Sequence, residues 1–491
     1  MLEAIGSGAS GLLRPEVIGF LLLGSFLGYV FGILPGLGAT SAMAISLPMV
    51  YGMEPLLAMY YLAGIMGSVA CGGSISAILL NTPGTAVNAA TCLDGYPMAQ
   101  KGEAGKALST AAFASLLGAI VGILVLIALV PLVRAIIMSF TPPEFFMMCF
   151  VGLVVVAIAV RGNVVKGLAS GCGGVLVSFI GYHYVTGAVR FNFGTEYLWD
   201  GITIIPFFIG LFAIGEMLMI VTAGKRTISR VTIVSKGGKL DGLKEVLKNK
   251  ACFVRSSVIG IIIGIIPGVG GAVANFVSYL FGRQFSKTPE KFGTGHVEGV
   301  IASEAANNAK DGGALLPTLA FGIPGSAEMA LLLGAFILVG IVPGPTILLE
   351  HLDLMYAIIF ALIISGILAT LWTIFLASYF ARITAINVSY IIPVVVIFAF
   401  LGSFALRGSI LDVGTAIIFG VIGYAMRRGG FPIIPMIIGY VIGGLAENSF
   451  LQSLAISDGS YAIFFTRPIS LALFIFAIFV LVFPFVKRGK A

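Results

Sequence analysis

Apolar runs of about 20 residues, the length that crosses a hydrocarbon core of about 30 Å, recur along this chain and constrain it more than any other feature. They read as transmembrane helices rather than as core helices of a water-soluble fold. The composition agrees, because only 10% of the 491 residues are charged and 59% are apolar, against roughly 25% charged in soluble domains. Mean hydropathy is +1.09. Alternating strand patterns of about ten residues do not occur, which argues against an outer-membrane barrel.

Glycine numbers 65, and Gly24, Gly28, Gly32, Gly118 and Gly122 sit inside apolar runs, where small residues let helix backbones approach closely in lipid. Most of these glycines read as packing. Cys71, Cys92, Cys149, Cys172 and Cys252 are scattered without a CxxC pair, and His183, His296 and His351 are equally isolated, so no metal site is expected. Met1 to Val17 carries Glu3 and Glu16 and no basic n-region, so no cleavable signal peptide is expected.

Net charge is +7, but the surplus is concentrated, which makes it a statement about topology and not about nucleic acid. Nine Lys or Arg fall between Thr222 and Arg255 (Lys225, Arg226, Arg230, Lys236, Lys239, Lys244, Lys248, Lys250 and Arg255), against Asp241 and Glu245. The positive-inside rule makes this connector cytoplasmic. The other basic connectors (Lys101 with Lys106, Arg161 with Lys166, Arg283 with Lys287 and Lys291, Arg427 with Arg428, and Lys487, Arg488 and Lys490) agree if the N-terminus is external and two segments re-enter rather than cross. Val17 to Tyr51 would dip in from outside and Phe253 to Phe281 from the cytoplasm. Arg407, on an expected external turn, is the exception.

The chain also repeats itself. Gly28, Gly32, Ile33, Pro35, Gly36 and Gly38 align without a gap with Gly260, Gly264, Ile265, Pro267, Gly268 and Gly270, six identities in eleven positions. Further on, Gly72-Gly73 followed by Pro83, Gly84, Thr85 and Ala86 resembles Gly312-Gly313 followed by Pro324, Gly325, Ser326 and Ala327. The fold expected is an all-α polytopic membrane protein of two inverted-topology repeats, each with a re-entrant helical hairpin and a broken helix. The first repeat covers 1–221 (hairpin 17–51, broken segment 72–92), and a basic connector covers 222–252. The second covers 253–466 (hairpin 253–281, broken segment 303–328), and a terminal helix with a cytoplasmic tail covers 467–491.

Pro35-Gly36, Pro83-Gly84, Pro267-Gly268 and Pro324-Gly325 should break their helices at membrane depth, because proline removes a donor and glycine permits positive φ. Irregular backbone there needs protein or a water-filled cavity to satisfy it. Half-helix N-termini after such breaks expose N–H groups that suit a carboxylate. The residues expected to bind substrate are therefore Gly36, Gly38, Thr40, Ser74, Ser76, Asn81, Thr82, Gly84, Thr85, Gly268, Gly270, Asn307, Asn308, Gly325 and Ser326. Asn275, Ser303, Glu304, Asp311 and Glu328 are the candidates for a coupling ion. An intramembrane charge costs about 2.5 to 3.5 kcal/mol at a helix centre, so Glu304, Lys310 and Asp311 need partners. An ion pair from Lys310 to Asp311 or Glu304 and a role in cation or proton coupling both meet that need. Asp94-Gly95-Tyr96-Pro97 reads as a cytoplasmic turn.

The run Gly32-Ile-Leu-Pro-Gly-Leu-Gly-Ala-Thr40, the run from Gly72 through Pro83-Gly84 to Asp94-Gly-Tyr-Pro-Met-Ala99, and Gly264 to Gly270 with Glu304-Ala-Ala-Asn-Asn308 and Gly322 to Ser326 resemble the large membrane subunit, TctA type, of the tripartite tricarboxylate transporter family. The resemblance implies a bacterial inner-membrane complex with a small four-helix membrane subunit and a periplasmic solute-binding protein. It also implies uptake of citrate or another carboxylate, driven by a sodium or proton gradient and not by ATP. No cofactor is expected, and the sequence holds no Gly-x-x-x-x-Gly-Lys-Ser/Thr phosphate loop. A gated anion channel and a membrane-embedded enzyme are the competing readings; no His-Glu-x-x-His and no Ser/His/Asp set supports the enzyme. The transport reading expects Asn81→Ala or Asn308→Ala to lose uptake.

Overall fold

The computed structural model describes residues 2–34, 36–159, 164–183, 187–223, 240–380, 388–405 and 407–488. Pro35, Arg161, Lys225, Arg226, Arg230, Lys236, Lys239 and Lys490 lie outside the described residues. The first half contains α1 (Leu2–Ser10), α2 (Pro15–Ile33), α3 (Gly38–Val50), α4 (Pro55–Leu80), α5 (Cys92–Gln100), α6 (Ala104–Ile137), α7 (Pro142–Ala159), α8 (Val164–Ser178), α9 (Ile204–Phe208) and α10 (Gly215–Ala223), the last two joined by a π-helical stretch, Ile209–Ile214. The second half contains α11 (Asp241–Lys248), α12 (Lys250–Ile265), α13 (Gly270–Gln284), α14 (Val297–Phe321), α15 (Ala327–Leu338), α16 (Pro345–Glu350), α17 (Leu352–Phe380), α18 (Val388–Ala405), α19 (Ile410–Arg428), α20 (Ile433–Ile456), α21 (Ile463–Thr466) and α22 (Pro468–Arg488). A two-residue antiparallel pair, Gly181–Tyr182 with Val189–Arg190, is the one sheet among the described residues.

Proline opens α2, α4 and α16, where its missing N–H is an orphan anyway and its fixed φ suits the first turn. Left-handed residues close the two long central helices: Asn81 at φ 54° after α4 and Gly322 at φ 68° after α14. Seven helices among the described residues are long and apolar enough to cross a membrane, namely α2, α4, α6, the run Ile204–Thr222, α17, α19 and α20. The polytopic all-α expectation therefore holds.

Gly24, Gly28 and Gly32 press against the carbonyls of Tyr61, Ile65 and Val69 in the same order, so α2 and α4 run parallel. The chain between them must turn back, which makes α2 and α3 a hairpin. Arg14 and Glu54 join its entry and exit at 2.7 Å. The same arrangement recurs in the second half, where Gly260 and Gly264 press against the carbonyls of Ala306 and Lys310, and α13 returns with Ser278 Oγ donating to Ala302 O at 2.7 Å. A β-carbon would lie 2.1 Å from Val69 O at Gly32 and 2.3 Å from Lys310 O at Gly264, so neither position admits a side chain without displacing its neighbour.

Ser74 of α4 bonds Glu304 of α14, while Gly67 shares a small void with Asn308 and Asp311, so α4 and α14 run antiparallel. The halves also exchange partners. Gly118 and Gly122 of α6 seat on Ala305 and Ala309 of α14, and Gly67 of α4 seats on Leu362 and Ser365 of α17. In the outer part, α20 packs on α7 and α8, and the π-helical stretch and α10 pack on α19. The central α4 and α14 are almost wholly buried, whereas Val394, Ile397, Phe398, Ile417, Ile418, Ile475 and Phe479 face outward. Such an apolar exterior fits lipid rather than water.

Asp94-Gly95-Tyr96-Pro97 departs from the expectation of a turn, for it lies inside α5 with Asp94 fully buried. Its carboxylate Oδ1 accepts from the backbone N–H groups of Gly293, Gly295 and His296 at 2.9, 2.8 and 2.7 Å, and Oδ2 accepts from Tyr279 Oη at 2.8 Å. A tertiary partner 200 residues away in sequence decides what local turn chemistry could not.

Candidate functional site

In each half a hairpin tip is tied to a helix break by one backbone hydrogen bond. Gly36 N donates to Gly84 O at 3.3 Å, and Gly268 N donates to Gly325 O at 3.0 Å. Both donors sit at positive φ, +88° and +73°, which only glycine adopts without strain. The segments that follow these breaks meet across one cavity of about 450 Å³, walled by Gly36–Ser41, Pro83–Val87, Val269–Ala272, Ser326–Glu328, Phe212, Glu216, Arg427 and Ile434. That volume falls in the range of small-molecule sites, about 300–1,000 Å³. A second recess of about 570 Å³ lies beside Tyr182, Asp200 and Thr203, but no helix break reaches it.

Three of the four breaks restart a helix of eight residues or more: α3 after Leu37, α13 after Val269 and α15 after Ser326, whose Oγ accepts from Met329 N at 3.4 Å. The break at Pro83-Gly84 does not, which corrects the expectation of a half-helix N-terminus at each one. Thr85 leads into a single 3₁₀ turn, Ala86–Ala89. There the Asn88 side chain bonds Ala70 O and Ser74 Oγ at 3.0 Å and accepts from Thr85 Oγ1 at 2.7 Å, tying the segment back onto α4. The amide N–H groups, small hydroxyls and helix N-termini that do face the cavity suit an anionic, oxygen-rich ligand.

Of the residues expected to bind substrate, Gly36, Gly38, Thr40, Gly84, Thr85, Gly270 and Ser326 wall the cavity. Gly268 and Gly325 do not, since their α-carbons turn toward Val156 and Ala314. Asn81 is an exposed helix cap, Thr82 Oγ1 bonds Leu80 O, and Ser76 Oγ bonds Gly73 O. Asn307 lines a small void of about 20 Å³ that shares Ala39, Thr85, Val87 and Glu328 with the cavity. Asn308 lines a separate void of about 10 Å³.

The five coupling-ion candidates do not form one cluster. Glu304, fully buried, accepts from Ser74 Oγ at 2.8 Å, Thr91 Oγ1 at 2.5 Å, Asn88 Nδ2 at 3.4 Å and Asn307 Nδ2 at 3.4 Å, and Thr91 also reaches Ser303. Four donors offset the several kcal/mol that desolvating a carboxylate costs. Asp311 pairs with Lys310 at 2.5 Å, the ion-pair alternative. Asn275 Nδ2 bonds Val87 O at 2.6 Å. Glu328 alone of the five stands on the main cavity. The carbonyl oxygens of Asn275, Asn307 and Asn308 are buried without a hydrogen-bond partner.

Sequence reasoning missed Glu216 and Arg427, which face each other on the cavity wall at 3.1 Å. A signal existed for Glu216, a lone acid inside the apolar run from Ile204 to Thr222. Arg427 was hidden in a pair of arginines that fits a cytoplasmic connector.

Fold and site together define a multi-pass helical membrane protein whose interrupted helices line one common cavity. Residues 18–438 match the tripartite tricarboxylate transporter TctA family, and the chain belongs to it. It is thus a membrane subunit of the TctA family of tripartite transporters, assemblies that by their nature include other subunits. Two relatives come from Agrobacterium vitis. An uncharacterized 52.8 kDa protein in the TAR-I ttuC' 3' region is 33% identical over 96% of this chain and 94% of its own length. An uncharacterized protein in the TAR-II ttuC' 3' region is 36% identical over 44% of this chain and 88% of its own. No solved structure matches.

Proposed function

We propose that this subunit imports tricarboxylates or other small carboxylates as a secondary transporter, receiving them from a periplasmic solute-binding protein and acting with a small four-helix membrane subunit. The observation that carries the reading is the convergence of all four helix-break segments on one cavity. Glycine contacts repeated at matching positions of α2/α4 and α12/α14, with α4 and α14 antiparallel, support two inverted-topology repeats around that cavity. In this reading the protein lies in the bacterial inner membrane, with its N-terminus periplasmic and its C-terminus cytoplasmic.

Electrostatics favours coupling to a cation. The cavity wall carries Arg427 against Glu216 and Glu328, so a di- or trivalent anion adds negative charge to a site that has no surplus of positive charge. A sodium ion, or a proton on one of the acids, offsets it. Glu328, shared between the cavity and the void that holds Lys310 and Asp311, is the group best placed for the cation.

The test is uptake of labelled citrate by vesicles containing the complete complex, with binding protein supplied and sodium and proton gradients imposed separately. Accumulation above the external concentration under one of the two gradients is the expected result. Equilibration without accumulation would make the chain a gated channel, and the cotransport reading would be lost.

A further inference from the structure

Two adjacent arginines at the end of α19 behave differently. Arg428 is exposed and lies over the Tyr424 ring at 5.5 Å, as a residue of a membrane–water boundary does. Arg427 turns inward and is the one Lys or Arg among the described residues that wall the cavity. Its Nη2 lies 3.1 Å from Glu216 of α10, and its Nη1 donates to Leu211 O at 2.9 Å and to Gly423 O at 3.3 Å. Leu211 belongs to the π-helical stretch, a local widening of the helix that is frequent at functional sites. Those contacts engage three of the five guanidinium N–H groups, so about two remain for a further acceptor.

We propose that Arg427 selects for polycarboxylates: it takes a second carboxylate of a ligand whose first carboxylate is held at the helix breaks, and Glu216 gives up its place to that group. The inference rests on the carboxylate reading above. Arg427 and the breaks belong to different elements and share one cavity, so a ligand with two anionic ends bridges them and a monocarboxylate does not. Exchanging the Glu216 carboxylate for one from the ligand preserves the charge-assisted bonds that a half-buried guanidinium requires. Before the ligand arrives, Glu216 keeps that guanidinium from standing unpaired.

The experiment measures binding of radiolabelled citrate, succinate and propionate to the purified full-length chain, with each variant's thermal midpoint recorded. Arg427→Gln is expected to weaken citrate and succinate by about tenfold or more and propionate by less than about twofold. Arg427→Lys should fall between, because ammonium keeps the charge and loses the fork. Glu216→Gln should hold or tighten citrate binding by removing the internal competitor. Should Arg427→Gln unfold, the Arg427→Gln/Glu216→Gln pair leaves no unpaired charge and is read in the same way. Equal losses for all three acids, unchanged citrate affinity, or a Glu216→Gln loss as large as that of Arg427→Gln would overturn the proposal while leaving carboxylate transport intact. Failure of the wild-type chain to bind any of the three, both alone and in the complete complex, would instead remove the transport reading, and this inference with it.

Discussion

Ser74 and Glu304 stand 230 residues apart in the chain, and the Ser74 hydroxyl donates to the Glu304 carboxylate at 2.8 Å. This bond joins the central helix of one half to that of the other. Glu304 has four side-chain donors, so removing the acceptor strands more groups than removing one donor. Glu304→Ala is expected to cost about 3–5 kcal/mol and Ser74→Ala about 1–3 kcal/mol. Thermal unfolding in detergent checks the order, and equal shifts would show that Glu304 is not the hub of the network.

The close approach of α2 to α4 makes a sharper stability test. Gly32→Ala and Gly264→Ala each force a β-carbon into a backbone carbonyl and are expected to destabilise by about 1–3 kcal/mol. Gly19→Ala lies on the same α2, with nothing within 4 Å of an added β-carbon, and is expected to be neutral or stabilising by up to about 1 kcal/mol. Similar losses at Gly19 and Gly32 would mean that helix propensity, not packing, is being measured.

Asn81 occupies the left-handed position that ends α4, at φ 54°. Asn81→Gly should therefore retain stability and uptake, whereas Asn81→Val should cost about 1–2 kcal/mol because its β-carbon crowds the following carbonyl. Loss of uptake in a stable Asn81→Gly protein would restore this side chain to the binding site.

The hairpin and break segments were legible in the sequence because proline and glycine act locally and recur at nearly constant spacing. Pro83-Gly84 and Pro324-Gly325 look alike in sequence but diverge in space: Ser326 caps a 12-residue helix, while Asn88 ties the other segment back to α4. That difference depends on a long-range partner, as does the Glu216–Arg427 pair, formed only when α10 packs on α19. Charge counting put Arg427 together with Arg428 in a cytoplasmic connector. Counting has no means of telling an inward arginine from an outward one.

At the mouth of the first hairpin, the Arg14 hydrogen bond holds the Glu54 carboxyl below its ordinary value of 4.5. A folded-state value below the unfolded one means that the pair contributes fully above about pH 4.5 and is lost as pH falls through the depressed value. Both side chains are substantially exposed, so the effect is local and screened by salt. Hydrogen-exchange protection of the amides at residues 14–18, taken relative to their intrinsic exchange rate at each pH, is expected to fall in acid and to lose that fall in Glu54→Gln. An acid response that persists in Glu54→Gln would assign it to another group.

Asp94 is where the first half grips the second. Its Oδ1 accepts three backbone N–H groups just before and at the start of α14, from Gly293, Gly295 and His296. The His296 N–H, at the cap of α14, has no partner within that helix, and a carboxylate also suits the positive end of the helix dipole. Its other oxygen receives the hydroxyl of Tyr279 on the return arm of the second hairpin. One side chain thus fixes a hairpin arm, a loop and a helix start together. Asp94→Asn keeps the shape but removes the charge and offers one carbonyl oxygen in place of two, so a loss of about 1–3 kcal/mol is expected. Asp94→Ala leaves every donor unmet and should lose more. Tyr279→Phe removes a single bond and should lose about 1 kcal/mol. Hydrogen exchange tells this local role from general unfolding: in Asp94→Asn the amides of 293, 295 and 296 should exchange faster while those inside α4 keep their protection. Faster exchange spread evenly over both segments would mean that Asp94 supports the whole fold rather than this junction.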